Sequence, residues 1–183
     1  MTYYGGKELA AAYRTVRNNT IKIAEEIPED KYGFQPAPGC RSVAETLTHM
    51  AVTTRVPEKI HFSEHLSSLA GFDFFGMMGA LQAEVKKPRS KAEILDLLRT
   101  EGDKFANALE GTSESFLSEI VQYPEGMQPP SKSRFEMLTA AKEHEMHHRG
   151  QLMVIERLLG ITPHLTRQME ERIASMQAAQ AAR

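Results

Sequence analysis

Apolar residues recur at helical spacing along much of the chain, and the first such stretch runs from about Lys7 to Glu26. Pro28 follows directly, at a position where a helix usually ends. Spacings of three and four residues place the side chains of this stretch on one helical face, which we expect to be buried. The positions on that face are Leu9, Ala12, Tyr13, Val16, Thr20 and Ile23.

A second helix is predicted to begin at Ser42, where the sequence carries a capping box. The Ser42 hydroxyl can accept a hydrogen bond from the backbone N–H of Glu45, whose carboxylate can reach back to the Ser42 N–H. This helix carries His49 among apolar residues. Pro57 should end or kink it, and helical pattern resumes beyond that proline in "EKIHFSEHLSSLA".

Two further helices complete the pattern. One runs from Ser90 to Leu109, with Ser90 as its N-cap and Gly111 as a C-cap. The other begins at Ser131 or Ser133 and continues to Gly160. Residues 165–183 are predicted to form a final helical tail.

The predicted helices are separated by segments rich in glycine, proline and polar residues. We expect loops over residues 28–40, 71–88 and 111–133, of which the second contains at most one short helix, and we find no convincing strand. The fold class is therefore predicted to be all-α: an up-and-down four-helix bundle with long connecting loops. We expect a single domain over residues 1–183, with its core between about residues 7 and 164.

The composition of the chain argues against several classes of function. The chain has 183 residues and a formal net charge of −2, so it lacks the basic excess of a nucleic-acid-binding protein. It contains no apolar run of membrane-spanning length, and the first residues do not resemble a signal peptide, so we expect neither membrane insertion nor secretion. A single cysteine, Cys40, cannot form an internal disulfide, which fits a reducing cytoplasm.

The stretch "HEMHHRGQL" concentrates three of the seven histidines on the fourth helix. His144 and His148 are four residues apart, so both rings can reach one metal ion; His144 and His147, three apart, could do the same. The apolar stripe of this helix includes position 148 and leaves His147 nearer the flank. We therefore favour His144 and His148 as a ligand pair.

Two histidines make a weak site, because catalytic and structural zinc sites usually have three or four protein ligands. From spacing alone, the third ligand could be His49, a member of the pair His61 and His65, His164, or an acidic residue near the C-terminus. His49 qualifies only if the second helix packs against the fourth. The sequence by itself leaves these alternatives open.

The same stretch also matches the pattern His-Glu-x-x-His of zinc proteases, in which Glu145 would be the general base. The surrounding sequence does not support this alternative. Position 151 is glutamine, the downstream glycine and histidine of the longer protease signature are missing, and no strand-rich half is predicted to line a substrate cleft. A zinc protease therefore remains only a remote alternative.

Two longer segments, "APGCRSVAETLTHMA" and "RFEMLTAAKEHEMHHRGQLMVIERLLGITPH", resemble the DinB family of small four-helix proteins, also called DinB/YfiT-like. The shared features are Pro-Gly-x-Arg-Ser before the second helix, a histidine within that helix, and His-x-x-x-His-Arg-Gly-Gln followed by Gly-x-x-Pro. The resemblance extends from about Lys7 to His164. It implies that His49, His144 and His148 hold one divalent metal ion.

The resemblance also implies a helical bundle, often a homodimer, whose metal ion keeps positions open for water or substrate. Some relatives are transferases or isomerases that use a low-molecular-weight thiol, so we expect a metal-dependent S-transferase, isomerase or hydrolase with a small-molecule substrate. A non-catalytic metal-binding dimer is the alternative. Zinc or nickel is the expected ion. Glu45 and Gln151 lie within a turn of the histidines and are candidates to orient their rings.

Overall fold

The computed structural model describes residues 4–181, and its architecture is a four-helix bundle. The four bundle helices are α1 (Gly6–Glu26), α2 (Val43–Val52), α5 (Lys91–Glu110) and α7 (Arg134–Leu158). Both α1 and α2 contact α5 and α7.

Shorter elements occupy the connections between the bundle helices. Three of them lie between α2 and α5, where the chain continues through a three-residue helical turn into a π-helical segment and then a further helix. The final helix, α8, follows α7 and is almost entirely exposed beyond its first turns. These elements are a 3₁₀ turn (Glu29–Lys31), α3 (Arg55–Pro57), the π-helical segment (Glu58–Ser63), α4 (Phe74–Val85), α6 (Glu114–Ser118) and α8 (His164–Ala181).

The predicted capping boxes set where the bundle helices begin. Ser42 and Glu45 cap α2 reciprocally, with the Glu45 N–H donating to Ser42 Oγ over 3.2 Å and the Ser42 N–H donating to Glu45 Oε2 over 2.8 Å. Ser90 caps α5 in the same way. Ser133, rather than Ser131, is the N-cap of α7. Each box satisfies two backbone N–H groups that have no partner within the helix.

The bundle interior is apolar at both ends of α1. One cluster joins Ile23 of α1 to Leu47 of α2, Leu98 of α5 and Leu152 of α7, all of them buried. A second cluster packs the first half of α1 against the last turns of α5 and the start of α7. Between the two clusters the bundle interior is polar, and this layer contains the candidate site.

The connection between α2 and α5 contains more regular structure than expected. Residues 71–88 were expected to contain at most one short helix, and they form α4, which has twelve residues. Its N-cap is Asp73, whose carboxylate accepts from the Gly76 N–H over 2.8 Å. Pro57 neither ends nor kinks α2, which stops at Val52, and helical backbone continues past the proline through the π-helical segment. That segment ends at Ser63, before the end of the stretch "EKIHFSEHLSSLA" in which helical pattern was predicted.

The prediction that the chain has no strand was wrong. Ile120–Gln122 (β1) pairs with Ser131–Ser133 (β2) in an antiparallel ladder, in which Val121 lies opposite Lys132. Each strand has only three residues, too few for an alternating pattern to be detected in the sequence. The pair lies beside the segment that follows α2, because Gln122 of β1 forms a bridge with Ser68.

No helix within residues 4–181 is both long and apolar enough to cross a membrane.

Candidate metal centre

Three histidine rings converge in the polar layer of the bundle. His49 comes from α2, and His144 and His148 come from one face of α7. One ring nitrogen of each lies within 4.8 Å of one ring nitrogen of each of the others. The Nε2 atoms of His49 and His144 are 3.0 Å apart, and the ring centroids of His144 and His148 are 4.6 Å apart. The structure thus brings together residues separated by 95 positions in the chain.

Hydrogen bonds to the outer ring nitrogens orient two of these imidazoles. The Thr53 hydroxyl donates to the His49 carbonyl over 2.6 Å, so its oxygen is left to accept from His49 Nδ1, 3.3 Å away. Gln151 Oε1 accepts from His148 Nδ1 over 2.8 Å. In both cases the proton lies on Nδ1, and the Nε2 lone pair is free to bind a metal ion.

Burial keeps the three rings in their neutral form. Desolvation, together with Arg41 and the two adjacent imidazoles, lowers the pKa of His49 to about 3. Desolvation and the nearby His148 lower the pKa of His144 to about 4. Burial also lowers the pKa of His148. Neutral imidazole is the form that binds metal ions, so no proton has to be displaced near pH 7.

The structure separates His148 from its neighbour. His148 is 7% exposed and faces the bundle interior, whereas His147 lies on the exposed side of α7. Gln151 contacts both rings: its Oε1 accepts from His148 Nδ1, and its Nε2 donates to His147 Nε2 over 3.2 Å. The inward stripe that favoured His148 in the sequence is therefore the buried face of the helix.

Of the two residues predicted to orient the rings, only Gln151 contacts a histidine side chain in the described part of the chain. The carboxylate of Glu45 is bound to the Ser42 N–H instead. A glutamate at the third helical position points back toward the N-cap, away from the residue one turn ahead. Thr53, one turn beyond His49, takes the orienting position that was expected of Glu45.

Glu145 forms a buried ion pair that the sequence did not reveal. Its two carboxylate oxygens each accept from the Arg17 guanidinium over 2.9 Å, and the side chains of both residues are almost fully buried. Arg17 also donates to the carbonyls of Leu98 and Met50 and to the Tyr13 hydroxyl. The guanidinium therefore joins α1, α2, α5 and α7 at the level of the site.

This ion pair argues against the protease alternative, because a general base needs a carboxylate that can accept a proton from water. Both oxygens of Glu145 are bound to Arg17, and the side chain is almost fully buried. Gly102 of α5 makes the arrangement possible: a Cβ at that position would lie 2.9 Å from Arg17 Cγ. The sequence signal that was overlooked is an arginine at position 17, within the apolar face of α1.

His61 and His65 do not join the cluster. His61 is 1% exposed, and its Nδ1 accepts from Arg134 Nη1 over 3.0 Å. The Arg134 Nε–H donates to Glu119 Oε2, which also contacts His65 Nε2 at 2.6 Å. This network connects the π-helical segment to α7. His61 and His65 therefore have structural roles as partners of Arg134 and Glu119. Burial, reinforced by Arg134, lowers the pKa of His61 to about 4.

His164, the other candidate third ligand among the histidines, is buried at the first turn of α8 and has Asn19 as its partner over 3.3 Å. Nearby, Glu156 of α7 is fully buried, and neither of its carboxylate oxygens has a hydrogen-bond partner within residues 4–181. Desolvation and the neighbouring Glu26 raise the pKa of Glu156 to about 7. The carboxyl group is therefore stable in the fold mainly in its protonated form.

The raised pKa of Glu156 predicts that stability falls with increasing pH. An unfolded glutamate ionises near 4.5 and the folded group near 7, so between these values the folded state binds more protons. Relative to Glu156→Gln, the native protein should lose up to about 3 kcal/mol of unfolding free energy between pH 5 and pH 8. Urea unfolding at both pH values measures this difference. Parallel pH profiles for the two proteins would show that Glu156 ionises normally in the fold.

A cavity of about 460 Å³ reaches the histidine cluster at His144, which is one of its lining residues. Thr53 also lines it, and further lining residues come from α7 and from the segment that follows α2. The cluster is therefore accessible from a space large enough for a small molecule. This arrangement is typical of a catalytic metal site rather than a closed structural one.

Comparison with known proteins adds the family. The sequence pattern of the DinB family matches residues 1–176. The chain belongs to the DinB family. Among DinB relatives, YjoA of Bacillus subtilis (strain 168) is 24% identical over 159 residues, which cover 85% of this chain and 91% of YjoA.

Solved DinB structures have the same fold. The crystal structure of the DinB-like protein YjoA from B. subtilis superposes with a TM-score of 0.62 and 22% identity, covering 85% of this chain and 94% of YjoA. YfiT from B. subtilis, termed a probable metal-dependent hydrolase with an unusual four-helix bundle topology, gives a TM-score of 0.67 at 13% identity, covering 88% and 91% of the two chains. The predicted fold class and family resemblance are both confirmed.

Proposed function

We propose that this DinB protein is a metal-dependent enzyme in which His49, His144 and His148 hold one divalent ion that activates a water or thiol nucleophile. The substrate is a small electrophilic molecule, and the reaction is a hydrolysis or a thiol-dependent transfer or isomerisation. The observation that carries the proposal is the convergence of three neutral imidazoles, one of which, that of His144, lines an open cavity. YfiT, a fold neighbour, bears the description of a probable metal-dependent hydrolase.

The distances within the cluster fit a common ion. Two imidazole nitrogens about 2.0–2.1 Å from one ion, at angles between roughly 90° and 110°, lie about 2.9–3.4 Å apart. The 3.0 Å between the Nε2 atoms of His49 and His144 falls in this range. An all-imidazole donor set suits zinc or nickel better than magnesium or calcium, which prefer oxygen ligands.

The protein residues have three tasks in this proposal. The imidazoles are neutral near pH 7 because burial lowers their pKa values, so protons do not compete with a metal ion for the ring nitrogens. Thr53 and Gln151 fix the proton on Nδ1 and hold the rings in place. The Arg17–Glu145 pair holds α7 in register with α1 and α2, and so fixes the spacing between His49 and His144. A bound divalent ion supplies Lewis acidity, which polarises a substrate carbonyl and acidifies water or a thiol.

Gln151 should contribute to metal affinity although it is not a ligand. In Gln151→Leu, the Nδ1–H of His148 loses its acceptor and the ring is free to rotate, so we expect zinc affinity to fall about 10- to 100-fold. Gln151→Glu keeps an acceptor oxygen at this position and is the matched control, with affinity at or above that of the native protein. Zinc titration calorimetry measures both. Equal losses in the two variants would contradict an orienting role.

The catalytic proposal is tested with the purified protein in zinc-loaded, nickel-loaded and chelator-treated forms. Each form is incubated with a panel of thiols, electrophiles and small esters or amides, and the products are identified by mass spectrometry. We expect turnover only in a metal-loaded form, and its loss in His144→Ala. His147→Ala, one helical turn away on the exposed face, should remain active. Tight metal binding without turnover across the panel would favour the non-catalytic alternative.

A further inference from the structure

The cavity beside the histidine cluster has an apolar wall. Its lining residues come from α2, α3, the π-helical segment, the loop before α4, α4 itself, the residue after β1, β2 and α7. Away from His144 and Thr53, aliphatic, thioether and aromatic side chains predominate. The apolar side chains that define this wall are Ile60, Leu69, Phe74, Met78 and Met137.

Two of the polar side chains that line the cavity already bind other protein side chains. The carboxylate of Glu145 is bound by Arg17, and His61 Nδ1 accepts from Arg134. Among residues 4–181, Glu145 is the only carboxylate that lines the cavity. Lys132 of β2 also lines it and makes no salt bridge with any described residue. Lys132 interacts electrostatically with the exposed Glu136, but that carboxylate does not line the cavity, so the unpaired charge within the lining is positive.

Size and access also fit a small ligand. The volume of about 460 Å³ lies within the range of roughly 300–1,000 Å³ that is common for small-molecule sites. Phe74, at the first position of α4, lines the cavity and is 48% exposed, so the cavity opens to solvent beside it. Three methionines line the cavity, and their flexible thioethers adapt to ligands of different shape.

We propose that this cavity binds the apolar part of the substrate, and that the substrate is a small, mainly apolar molecule, neutral or anionic, with one metal-binding group. The group lies at the His144 end, and the apolar part extends along Met78 and Met137 toward Phe74. Cations are disfavoured, because Lys132 repels them and the cavity has no free carboxylate to neutralise them. This substrate class rests on the proposed metal-dependent function, since it assigns the polar group to the metal end.

A series of n-alkyl hydroxamates from butyl to decyl tests the proposal by calorimetry on zinc-loaded and metal-free protein. The hydroxamate is the metal-binding group and the alkyl chain probes the cavity. We expect affinity to rise about fourfold with each added methylene, which corresponds to about 0.8 kcal/mol, until the cavity is full. The same slope should appear without zinc, at lower affinity throughout.

The two arms of this experiment separate the cavity from the metal. A flat chain-length dependence with zinc-dependent hydroxamate binding overturns the cavity proposal and leaves the metal function standing. If affinity rises with chain length as expected but zinc has no effect, the apolar cavity is supported. The metal function and the placement of the polar group at the metal end are then contradicted. If the affinity depends neither on chain length nor on zinc, both proposals are overturned.

Variants that change the cavity volume keep the proposal testable if one of them folds poorly. Ala140→Leu, on the cavity side of α7, should shift the chain-length limit to shorter hydroxamates, and Met78→Ala should shift it to longer ones. Met176→Ala on α8, which is 64% exposed, is the matched control and should not change the limit. A limit that is the same in all of these proteins would overturn the assignment of the alkyl chain to this cavity.

The charge preference is tested in metal-free protein by comparing octanoate with octylamine. We expect octanoate to bind about tenfold more tightly, and the preference to disappear in Lys132→Gln. Equal or tighter binding of octylamine by the native protein would overturn the assigned charge of the substrate.

Discussion

Replacing His148 with alanine is expected to weaken zinc binding about 100- to 1,000-fold. Structural zinc sites with four ligands reach apparent binding free energies of roughly 10–16 kcal/mol, so one ligand contributes about 3–4 kcal/mol. His49→Ala and His144→Ala should lose affinity to a similar extent, because each removes one of the three convergent nitrogens. Competition titration with a chromophoric chelator measures affinities over this range.

His147→Ala is the matched control for this prediction. It removes an imidazole from the same helix, one residue from His148, but from the exposed face. Its zinc affinity should stay close to that of the native protein. If His49→Ala keeps full affinity while His144→Ala loses it, the site has only two of the assigned ligands and the three-histidine assignment is wrong.

Replacing Arg17 with methionine is expected to lower the free energy of unfolding by about 3–5 kcal/mol. The substitution leaves the Glu145 carboxylate buried without its partner, and an unpaired buried charge carries a large desolvation cost. It also removes the hydrogen bonds that Arg17 donates to the carbonyls of Leu98 and Met50. Urea unfolding followed by circular dichroism measures the loss.

Arg14→Met is the matched control. Arg14 lies one turn earlier on α1 and pairs with Glu110 over 2.6 Å, with side chains that are 35% and 47% exposed. Its loss should cost less than about 1 kcal/mol, since exposed ion pairs contribute little. The double variant Arg17→Met/Glu145→Leu should recover much of the stability lost in the single variant. Similar losses for the two arginine variants would contradict the role assigned to the buried pair.

The sequence predicted most of the bundle, because the signals involved are local. The capping boxes at Ser42 and Ser90 operate within one helical turn, and both helices begin at those positions. Gly160, with a φ of 77°, follows the last residues of α7, as the predicted C-terminal signal requires. Helical periodicity also indicated that position 148 lies on the buried face of α7 and position 147 on its flank.

Three features of the structure differ from what the sequence predicts, and each has a physical reason. Strands of three residues do not produce a detectable alternation, so β1 and β2 were missed. The helix α4 was underestimated because its residues are glycine-rich and few of them are buried. Glu45 was a candidate to orient a histidine because it lies one turn before His49, but its carboxylate serves the capping box that the sequence also predicted.

The sequence by itself determined the four bundle helices, the starts of α2 and α5, and the placement of His144 and His148 on one face of α7, because each depends on residues within one or two turns. Only the tertiary structure decided that His49 approaches this pair and that Arg17 occupies both oxygens of Glu145. These contacts depend on how α1, α2 and α7 pack, and packing depends on many side chains distributed over the whole chain. Resemblance to the DinB family pointed to His49 in advance; local spacing could not distinguish it from His61, His65 or His164.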